Sequence, residues 1–438
     1  MHRAPAQPVI LGNEPGSFPH SVLAERHPAI IRQVRDAFPY GPDILERLDA
    51  LSAGCVKGAI EPLPAEAHDL DRWRAWGLDV YAGRSWFDVP WLWSESYFYR
   101  QLLEAVGYFG PGPWQGIDPF RPFKLAELEA PETDEELAVL DTLENRPVEE
   151  QDRALLHGSL WGNRADLGFR LSDAEAEERA AATGLVADDS ETLWALLSDT
   201  DTDTDTDTDT GAVTGTATPT PAETATATET ATATETATAT ETTTSAEAGT
   251  LCLVADNAGR ELIPDLLLAA HLLAHGRCRR VVLHVKPYPY YVSDATTADV
   301  VDALRKLTSA PGAAADHGRR LWAAMADGTL TVRAHPFSAA PLPYAEMPDD
   351  LRTEFAAAAL TIVKGDLNYR RLVGDSRWAP TTPFADVTAY FPGPVAALRT
   401  LKSDVITGLD ADTEASLVAA EGQRWRTGGT HALIQVRE

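Results

Sequence analysis

The carboxy-terminal part of the chain alternates short apolar runs with longer amphipathic stretches. LCLVAD, at 251–256, and RVVLHVK, at 280–286, are each followed by a segment with apolar residues at helical spacing. TLTVRAHP, ALTIVKGD and DVTAYFPG have the same short apolar character and are predicted to be further strands. Short buried runs alternating with helices are typical of a mostly parallel sheet with helices on both faces. The sequence therefore predicts an α/β fold for residues 251–438.

A low-complexity stretch precedes this region. It begins as an Asp-Thr alternation and continues with the six-residue repeat ETATAT. Because it has hardly any large apolar side chains, it cannot offset the entropy that ordering would cost. We therefore predict a disordered insertion over residues 199–250. A metal-binding Asp run is the alternative, although an Asp-Thr alternation fixes no coordination geometry.

The first 198 residues are predicted to form a helical amino-terminal region. Apolar residues recur there at spacings of three and four, which is the pattern of amphipathic helices. The segments with this pattern are HPAIIRQVRDAF, PDILERLDALSAG, ESYFYRQLLEAV, TDEELAVLDTL and DAEAEERAAATGL.

The charge and cysteine content exclude several classes of protein. A formal net charge of −29 repels phosphate backbones, so nucleic-acid binding is not expected. A small anionic substrate remains compatible, because a lysine cluster or a divalent cation can reverse the sign inside one pocket. The three cysteines, Cys55, Cys252 and Cys278, form no CxxC pair or zinc spacing, and Cys252 is expected in the core.

The sequence also carries predictions about location and partners. The amino terminus lacks the apolar stretch of a signal peptide, and no run approaches the roughly 18 apolar residues that span a bilayer. We therefore expect a cytoplasmic protein with no membrane association. No obligate protein partner is evident.

Polar side chains follow three of the predicted strands at their carboxyl ends, where ligands collect in such sheets. LCLVAD ends in Asp256 and Asn257, RVVLHVK leads through a loop to Asp294, and ALTIVK runs into a GDLN segment after Lys364. Carboxylate and amide oxygens suit Mg²⁺, Mn²⁺ or related divalent ions. A metal held there would leave positions for water and a phosphate oxygen, while Lys364 and Lys402 offset phosphate charge. Asp256 and Asp294 are equally compatible with helix caps or turns.

The combination of motifs resembles subfamily III of the damage-control phosphatases, once a family of unknown function numbered eighty-nine. The carboxy-terminal motifs are DNAGREL from Asp256, KP with VSD ending at Asp294, KGDLNYR from Lys364, and RTLK ending at Lys402. The amino-terminal half contributes WLWSESYFYR from Trp91, DPF followed by Lys124, and LWGNRADL. The motifs occur in the family's order and cover nearly the whole chain outside the repeat.

This resemblance implies a helical region packed on a Rossmann-like sheet, with one site between them. It implies metal ligands at Asp256, Asn257 and Asp294, with Mn²⁺, Co²⁺ or Ni²⁺ favoured. It implies hydrolysis of small phosphorylated metabolites, such as the sugar phosphate fructose 1-phosphate. Glu95 is a candidate contact to sugar hydroxyls. The substrate-binding residues are expected to be Asp256, Asn257, Asp294, Lys364, Gly365, Asp366, Leu367, Asn368, Lys402 and Glu95.

The chemistry itself has open alternatives. Either a metal-bound water attacks the phosphate or Asp256 forms a transient phospho-enzyme, and Asp366 is a candidate to assist proton transfer. Some relatives in the family are regarded as methyltransferases that use S-adenosylmethionine on protein glutamate, which is the second hypothesis. Such enzymes usually have a glycine-rich turn after the first strand, whereas this turn reads Asp-Asn-Ala-Gly. A non-catalytic sugar-phosphate or metal-binding protein is the third.

Overall fold

A computed structural model of the chain describes residues 7–162, 184–198 and 249–438. Within these residues one sheet of seven strands forms, in the spatial order β1-β7-β6-β5-β2-β3-β4. The strands are β1 (Leu185–Asp188), β2 (Thr250–Val254), β3 (Arg280–His284), β4 (Leu330–Arg333), β5 (Leu360–Lys364), β6 (Val395–Thr400) and β7 (Ala432–Arg437). The predicted α/β class is confirmed, with a mostly parallel sheet.

The direction of the strands determines where a site can form. Strands β6, β5, β2, β3 and β4 run parallel, and β7 is antiparallel to β6. Strand β2 pairs with β3 on one side and with β5 on the other, so the chain reverses its direction of travel across the sheet at β2. Such a switch point opens a crevice outside the carboxyl ends of the strands.

Both faces of the sheet are buried. Along β2, Leu251 and Leu253 belong to one apolar cluster, while Cys252 and Val254 belong to the cluster on the opposite face. Successive side chains of a strand point to opposite faces of the sheet. A continuous apolar run is therefore expected where both faces of the sheet are covered. The prediction that Cys252 lies in the core is confirmed.

Helices cover the sheet and build the amino-terminal region. Along the described residues they are α1 (Phe18–Ser21), a π-helical turn (Val22–Arg26), α2 (His27–Ala37), α3 (Pro42–Lys57), α4 (Leu70–Ala75), α5 (Leu78–Tyr81), α6 (Trp91–Val106), α7 (Arg121–Leu128), α8 (Pro131–Leu143), α9 (Val148–Trp161), α10 (Ser190–Ser198), α11 (Leu262–Ala274), α12 (Thr297–Ser309), α13 (Gly312–Asp327), α14 (Asp349–Ala357), α15 (Gly365–Val373), α16 (Phe384–Val387) and α17 (Ala411–Glu421).

Helix α6 is the centre of the amino-terminal region. Nearly all of its residues are buried, because it is surrounded by other helices and touches the sheet region as well. Its aromatic side chains form a network in which Tyr97 packs between Trp73, Trp86 and Trp93, at ring distances of 4.8 to 5.9 Å. A ring network of this size gives one rigid platform for the residues that α6 directs toward the sheet.

The amino-terminal region contributes one strand as well as helices. The amino-terminal region is not wholly helical, because β1 pairs with β7 at the sheet edge. The predicted insertion lies outside the described residues except for Gly249 and Thr250, and Thr250 begins β2. The predicted helix DAEAEERAAATGL also lies largely outside them.

The predicted strand DVTAYFPG is wrong. Part of this segment lies in α16, where Phe384 and Val387 are both buried. Their separation of three residues is a helical spacing. The strand of this region is β6, which begins after the Gly393-Pro394 pair.

Two further findings concern the described residues only. None of their helices is both long and apolar enough to cross a membrane. All three cysteines are buried and free of disulfides.

Candidate functional site

The exits of β2 and β3 lie side by side. Asn257 and Asp294 form an isolated antiparallel bridge, and the amide of Ala295 donates to the Asp256 carbonyl at 2.9 Å. The Ala258 amide donates to the Ser293 carbonyl at 2.6 Å. These backbone bonds bring together Asp256, Asn257 and Asp294, the three residues predicted as metal ligands.

The exit of β5 approaches the same place. Gly365, the first residue of α15, has φ +80°, and a Cβ built on it would lie 1.9 Å from Oδ2 of Asp256. Asn368, one turn later, donates from Nδ2 to the carbonyls of Ala255 and Lys364 at 3.0 and 2.9 Å. The Asn368 side chain thus ties the ends of β2 and β5 together, and it is fully buried.

A cavity of about 170 Å³ opens at these strand ends. Five of the predicted site residues line it, together with Glu261 and residues from α9 and β6. Its lining comprises Leu160, Trp161, Asp256, Glu261, Lys364, Gly365, Asp366, Leu398, Thr400, Lys402 and Gly429. The strand ends of β2, β5 and β6 therefore surround one space, and the exit of β6 is one that the strand pattern had not indicated.

The carboxylates beside this cavity are held in an unfavourable electrostatic state. Burial, followed by the charges of Glu261 and Asp294, raises the pKa of Asp256 well above its usual range. Burial also raises the pKa of Asp294, although Lys286 acts in the opposite direction. Lys286 is the paired cation, with Nζ 3.9 Å from Oδ2 of Asp294. Two buried carboxylates that repel one another are suited to a cation ligand.

The Asn257 amide is held between Glu261 and Ser293. Its Nδ2 donates to Oε2 of Glu261 at 2.8 Å, and its Oδ1 accepts from the Ser293 hydroxyl at 2.8 Å. Because a hydroxyl both donates and accepts, Ser293 accommodates either orientation of the amide. Within the described ranges, no three His, Cys, Asp or Glu side chains form a metal-holding group. The predicted set instead consists of two carboxylates and one amide.

Asp366 serves as an anchor for the loop that carries Lys402. Its Oδ1 accepts from Nη2 and Nε of Arg399 at 2.7 and 2.9 Å, from the Ser403 hydroxyl at 3.0 Å, and from the Lys402 amide at 3.3 Å. Burial raises the pKa of Asp366, but the charges of Arg399 and Arg370 outweigh it and lower the pKa below its usual range. An ionised carboxylate with four donors favours anchoring over proton transfer.

The other predicted residues occupy supporting positions. Lys364 pairs with Asp265 of α11 at 2.9 Å and donates to the Ser159 carbonyl. The Leu367 side chain packs in a small apolar cluster that includes Leu92 and Tyr290. These contacts hold both side chains against neighbouring helices.

Glu95 is buried on α6. It accepts from Nη1 of Arg370 at 2.8 Å and from the Tyr291 hydroxyl at 3.4 Å. Burial raises the pKa of Glu95, although Arg370 acts against it. This side chain joins the helical region to α15 and to the loop before Asp294.

Three further residues shape the site, although the sequence patterns gave them no role. Lys124 is buried and donates to Asp118 Oδ2, the Asp294 carbonyl and Asp299 Oδ2, each at 2.9 Å. Lys286 donates to Oδ1 of Asn368 at 3.2 Å. Glu261 lines the cavity. All three residues belong to the family motifs, and no other feature of the sequence indicated a role for them.

Residues 22–418 match the family described as the damage-control phosphatase ARMT1-like domain. The chain is similar to the proteins named damage-control phosphatase ARMT1 from several vertebrates. The Danio rerio protein is 29% identical over 378 residues, with 80% of this chain and 74% of that protein covered.

Two mammalian proteins of the same name match over greater lengths. The Macaca fascicularis protein is 27% identical and covers 97% of both chains. The Homo sapiens protein is 26% identical, over 95% of this chain and 96% of its own. Among solved structures, a DUF89 family protein from Pyrococcus horikoshii aligns with a TM-score of 0.44 and 13% identity, over 87% of this chain and 93% of that one.

Proposed function

Because the chain belongs to the damage-control phosphatase ARMT1-like domain family, we propose that it hydrolyses small phosphorylated metabolites at the cavity beside Asp256. The relatives are named damage-control phosphatases, so the chain is a phosphatase of that kind. Within this class we propose sugar phosphates, such as fructose 1-phosphate, as substrates. The methyltransferase alternative is not favoured, since the relatives are named for phosphatase activity.

One observation carries the proposal: acidic and basic groups from separate strand ends line the same small cavity. Asp256 comes from β2, Gly365 and Asp366 follow β5, and Lys402 follows β6. Phosphoryl transfer depends chiefly on positioning and on electrostatic stabilisation of the phosphate oxygens. A cavity lined by both carboxylates and lysines meets both needs.

The carboxylate side of the cavity is suited to a divalent metal. Asp256, Asn257 and Asp294 would hold it, and we propose Mn²⁺, Co²⁺ or Ni²⁺, with Mg²⁺ also compatible with oxygen ligands. When bound, such a cation polarises a phosphoryl oxygen and makes a bound water more acidic. The burial of both carboxylates at adjoining strand exits supports this assignment, because a cation would offset the negative charge there.

The start of α15, which lies directly against Asp256, is suited to phosphate oxygens. Helix α15 begins at Gly365, so the first backbone amides of the GDLN segment have no partner within the helix. Helix amino termini of this kind bind phosphate through backbone N–H groups. A contact of Leu367 with phosphate would be made by its backbone amide, because its side chain packs in an apolar cluster. Lys402, anchored through Asp366, supplies a positive charge beside them.

Phosphate release under controlled metal content tests the proposal. The full chain is stripped with a chelator and assayed against a panel of sugar phosphates, with and without Mn²⁺, Co²⁺, Ni²⁺ or Mg²⁺. We expect turnover only with added metal. Asp256→Asn should lower it by more than about 100-fold, since even residues that merely support metal ligands cost about 10- to 100-fold.

Asp349→Asn is the matched control, because Asp349 is an exposed carboxylate at the start of α14. It should keep wild-type turnover. Full activity of the Asp256→Asn variant would rule out this site assignment, and metal-independent turnover would rule out the proposed role of the cation.

A further inference from the structure

Glu261 is a buried carboxylate in the site, and the proposed chemistry gives it no role. It lines the cavity at the strand ends and is only 8% exposed. A single turn of 3-10 helix, Gly259–Glu261, carries it and leads directly into α11. Its Oε2 accepts a hydrogen bond from Nδ2 of Asn257, four residues earlier in the chain, at 2.8 Å. Glu261 therefore contacts a candidate metal ligand directly.

The end of α9 confines the Glu261 side chain. Gly162, which follows α9, has φ +50°, and a Cβ built on it would lie 2.5 Å from Cγ of Glu261. A side chain at position 162 would need the space that Glu261 fills. The close packing gives the glycine of the LWGN motif a physical reason, and it means that the helical region fixes where Glu261 lies.

The amide of Asn257 has two orientations, and only one of them suits a cation. The amide oxygen can bind a metal, whereas the NH₂ group only donates hydrogen bonds. Ser293 does not select between the two orientations, because a hydroxyl can donate to the oxygen or accept from the nitrogen. An ionised carboxylate only accepts, so Glu261 selects the orientation in which Nδ2 faces it. Oδ1 of Asn257 then lies on the other side, 2.8 Å from the Ser293 hydroxyl.

Asp256 does not replace Glu261 in this task. Its Oδ2 also lies near Nδ2 of Asn257, but at the longer distance of 3.3 Å. Asp256 is itself a proposed metal ligand, so a cation would compete for its carboxylate. Among the residues that the structure describes, no three His, Cys, Asp or Glu side chains are placed to hold a metal together. Glu261 is therefore placed to orient a ligand and not to complete an acidic set with Asp256 and Asp294.

We propose that Glu261 is a positioning residue for the divalent metal, because it holds the Asn257 amide with the oxygen available as a ligand. Residues that orient a metal ligand through a hydrogen bond typically change metal affinity by about 10- to 100-fold. The negative charge of Glu261 also favours a nearby cation, so the test has to separate orientation from charge. The inference rests on the proposed metal-dependent phosphatase function.

Two changes, made singly and together, separate these effects in the full chain. Glu261→Asp keeps the charge but withdraws the carboxylate from Asn257 by one methylene group. Asn257→Asp replaces the amide with a carboxylate, which presents an oxygen in either orientation. Glu135→Asp is the control, because it makes the same shortening at an exposed glutamate of α8. For every variant we measure the Mn²⁺ affinity of the metal-free protein by calorimetric titration.

Glu261→Asp should weaken Mn²⁺ binding about tenfold while residue 257 is Asn. In the Asn257→Asp background the same change should cost at least about fivefold less affinity, since no orientation remains to be selected. Glu135→Asp should stay within about twofold of the wild type. An unchanged affinity in Glu261→Asp would overturn the inference, because charge alone would then suffice. An equal loss in both backgrounds would also overturn it, because the effect of Glu261 would then not pass through the Asn257 amide.

Failure of the proposed function gives a different result. If the wild type releases phosphate from no ester but shows the expected pattern of Mn²⁺ affinities, the phosphatase assignment fails and the role of Glu261 stands. If the wild type releases phosphate and Glu261→Asp binds Mn²⁺ as tightly as the wild type, the role of Glu261 fails and the phosphatase assignment stands. A wild-type chain that binds no divalent cation overturns the inference.

Discussion

Gly365 and Asp256 approach one another too closely for any side chain to stand between them. A Cβ on Gly365 would lie 1.9 Å from Oδ2 of Asp256, and the residue has φ +80°. The exits of β5 and β2 therefore meet at the switch point of the sheet with backbone against carboxylate. Only glycine permits both the backbone conformation and this contact.

Gly365→Ala should consequently displace the Asp256 carboxylate. We expect turnover to fall by about 100-fold, the cost of misplacing a reacting group by roughly 1 Å. The left-handed backbone should also cost about 1–2 kcal/mol of folding free energy. Phosphate release and the thermal midpoint measure the two effects separately.

Gly374→Ala separates backbone strain from the clash. Gly374 follows the same helix with φ +94°, and a Cβ there has nothing within 4 Å. It should lose a similar amount of stability and keep its turnover within about twofold. Equal turnover of the two alanine variants would contradict the interpretation that Gly365 exists to admit Asp256.

Lys124 holds the loop of Asp294 from the helical side. Its ammonium group is buried and shared by Asp118, the Asp294 carbonyl and Asp299. Lys124→Met leaves the buried Asp299 carboxylate and the partly buried Asp118 carboxylate without their cation, which should cost about 3 kcal/mol. Because the Asp294 loop also loses its support, Mn²⁺ affinity should fall about 10- to 100-fold. Thermal unfolding and metal titration calorimetry check the two expectations.

Arg121→Gln is the control for this change. Arg121 is also on α7 and pairs with Asp302 at 2.8 Å, but it is partly exposed, so its loss should cost about 1 kcal/mol or less. An unchanged Mn²⁺ affinity in Lys124→Met would show that the Asp294 loop does not depend on this lysine.

A buried ion pair in the helical region predicts a pH-dependent loss of stability. Asp69 accepts from Nη2 and Nε of Arg100 at 2.7 and 2.9 Å, and from Nε1 of Trp73 at 3.1 Å. Burial raises the pKa of Asp69, but the bonds and charge of Arg100 outweigh it, so the folded-state pKa lies below the unfolded value of about 3.9. The stabilisation is therefore complete above pH 3.9 and lost as the pH falls through the folded value.

Asp69→Asn should cost about 3 kcal/mol at neutral pH, and its deficit should shrink as the pH falls below about 4. Thermal midpoints of the two proteins between pH 7 and pH 3 measure this gap. Asp71→Asn, which alters an almost fully exposed carboxylate two residues later in α4, should differ from the wild type by less than about 0.5 kcal/mol. A constant gap for Asp69→Asn across this range would mean that its ionisation does not stabilise the fold.

Four predicted strands are confirmed; three of them are buried on both faces, and the fourth, TLTVRAHP, became the edge strand β4. LCLVAD, RVVLHVK and ALTIVK are continuous apolar runs, and they became β2, β3 and β5 at the centre of the sheet. Strand β1 at one edge, and β7 beside it, were missed because their patterns include partly exposed or polar positions, such as Gln435 in β7. Edge strands have one unpaired side and a weaker apolar signature, so periodicity alone does not separate them from loops.

The sheet topology predicts where the strand-exit residues of the site lie, but it does not predict which side chains from other regions contact them. Carboxyl ends of parallel strands share one edge, so Asp256, Asp294 and Gly365 were expected to converge once their strands were identified. Lys124 lies 170 positions from Asp294 in the sequence. No local pattern reports a contact at that separation, because it arises only when the helical region packs on the sheet.

Asp366 provides a final test, which separates proton transfer from anchoring. Its carboxylate binds Arg399, Ser403 and the Lys402 amide, and its lowered pKa keeps it ionised near neutrality. If it anchors the Lys402 loop, Asp366→Asn should raise KM about tenfold and cost about 2 kcal/mol of stability, because Arg399 loses a charged partner. The pH dependence of kcat should keep both limbs at their wild-type positions.

A proton-transfer role for Asp366 predicts a different result. The variant would then lose kcat rather than affinity, and one limb of the pH profile would disappear. Asp386→Asn, an exposed carboxylate on α16, controls for the loss of one negative charge and should match the wild type in both parameters. The ratio of the change in kcat to the change in KM therefore decides between the two roles, because anchoring acts on phosphate binding while proton transfer acts on the chemical step.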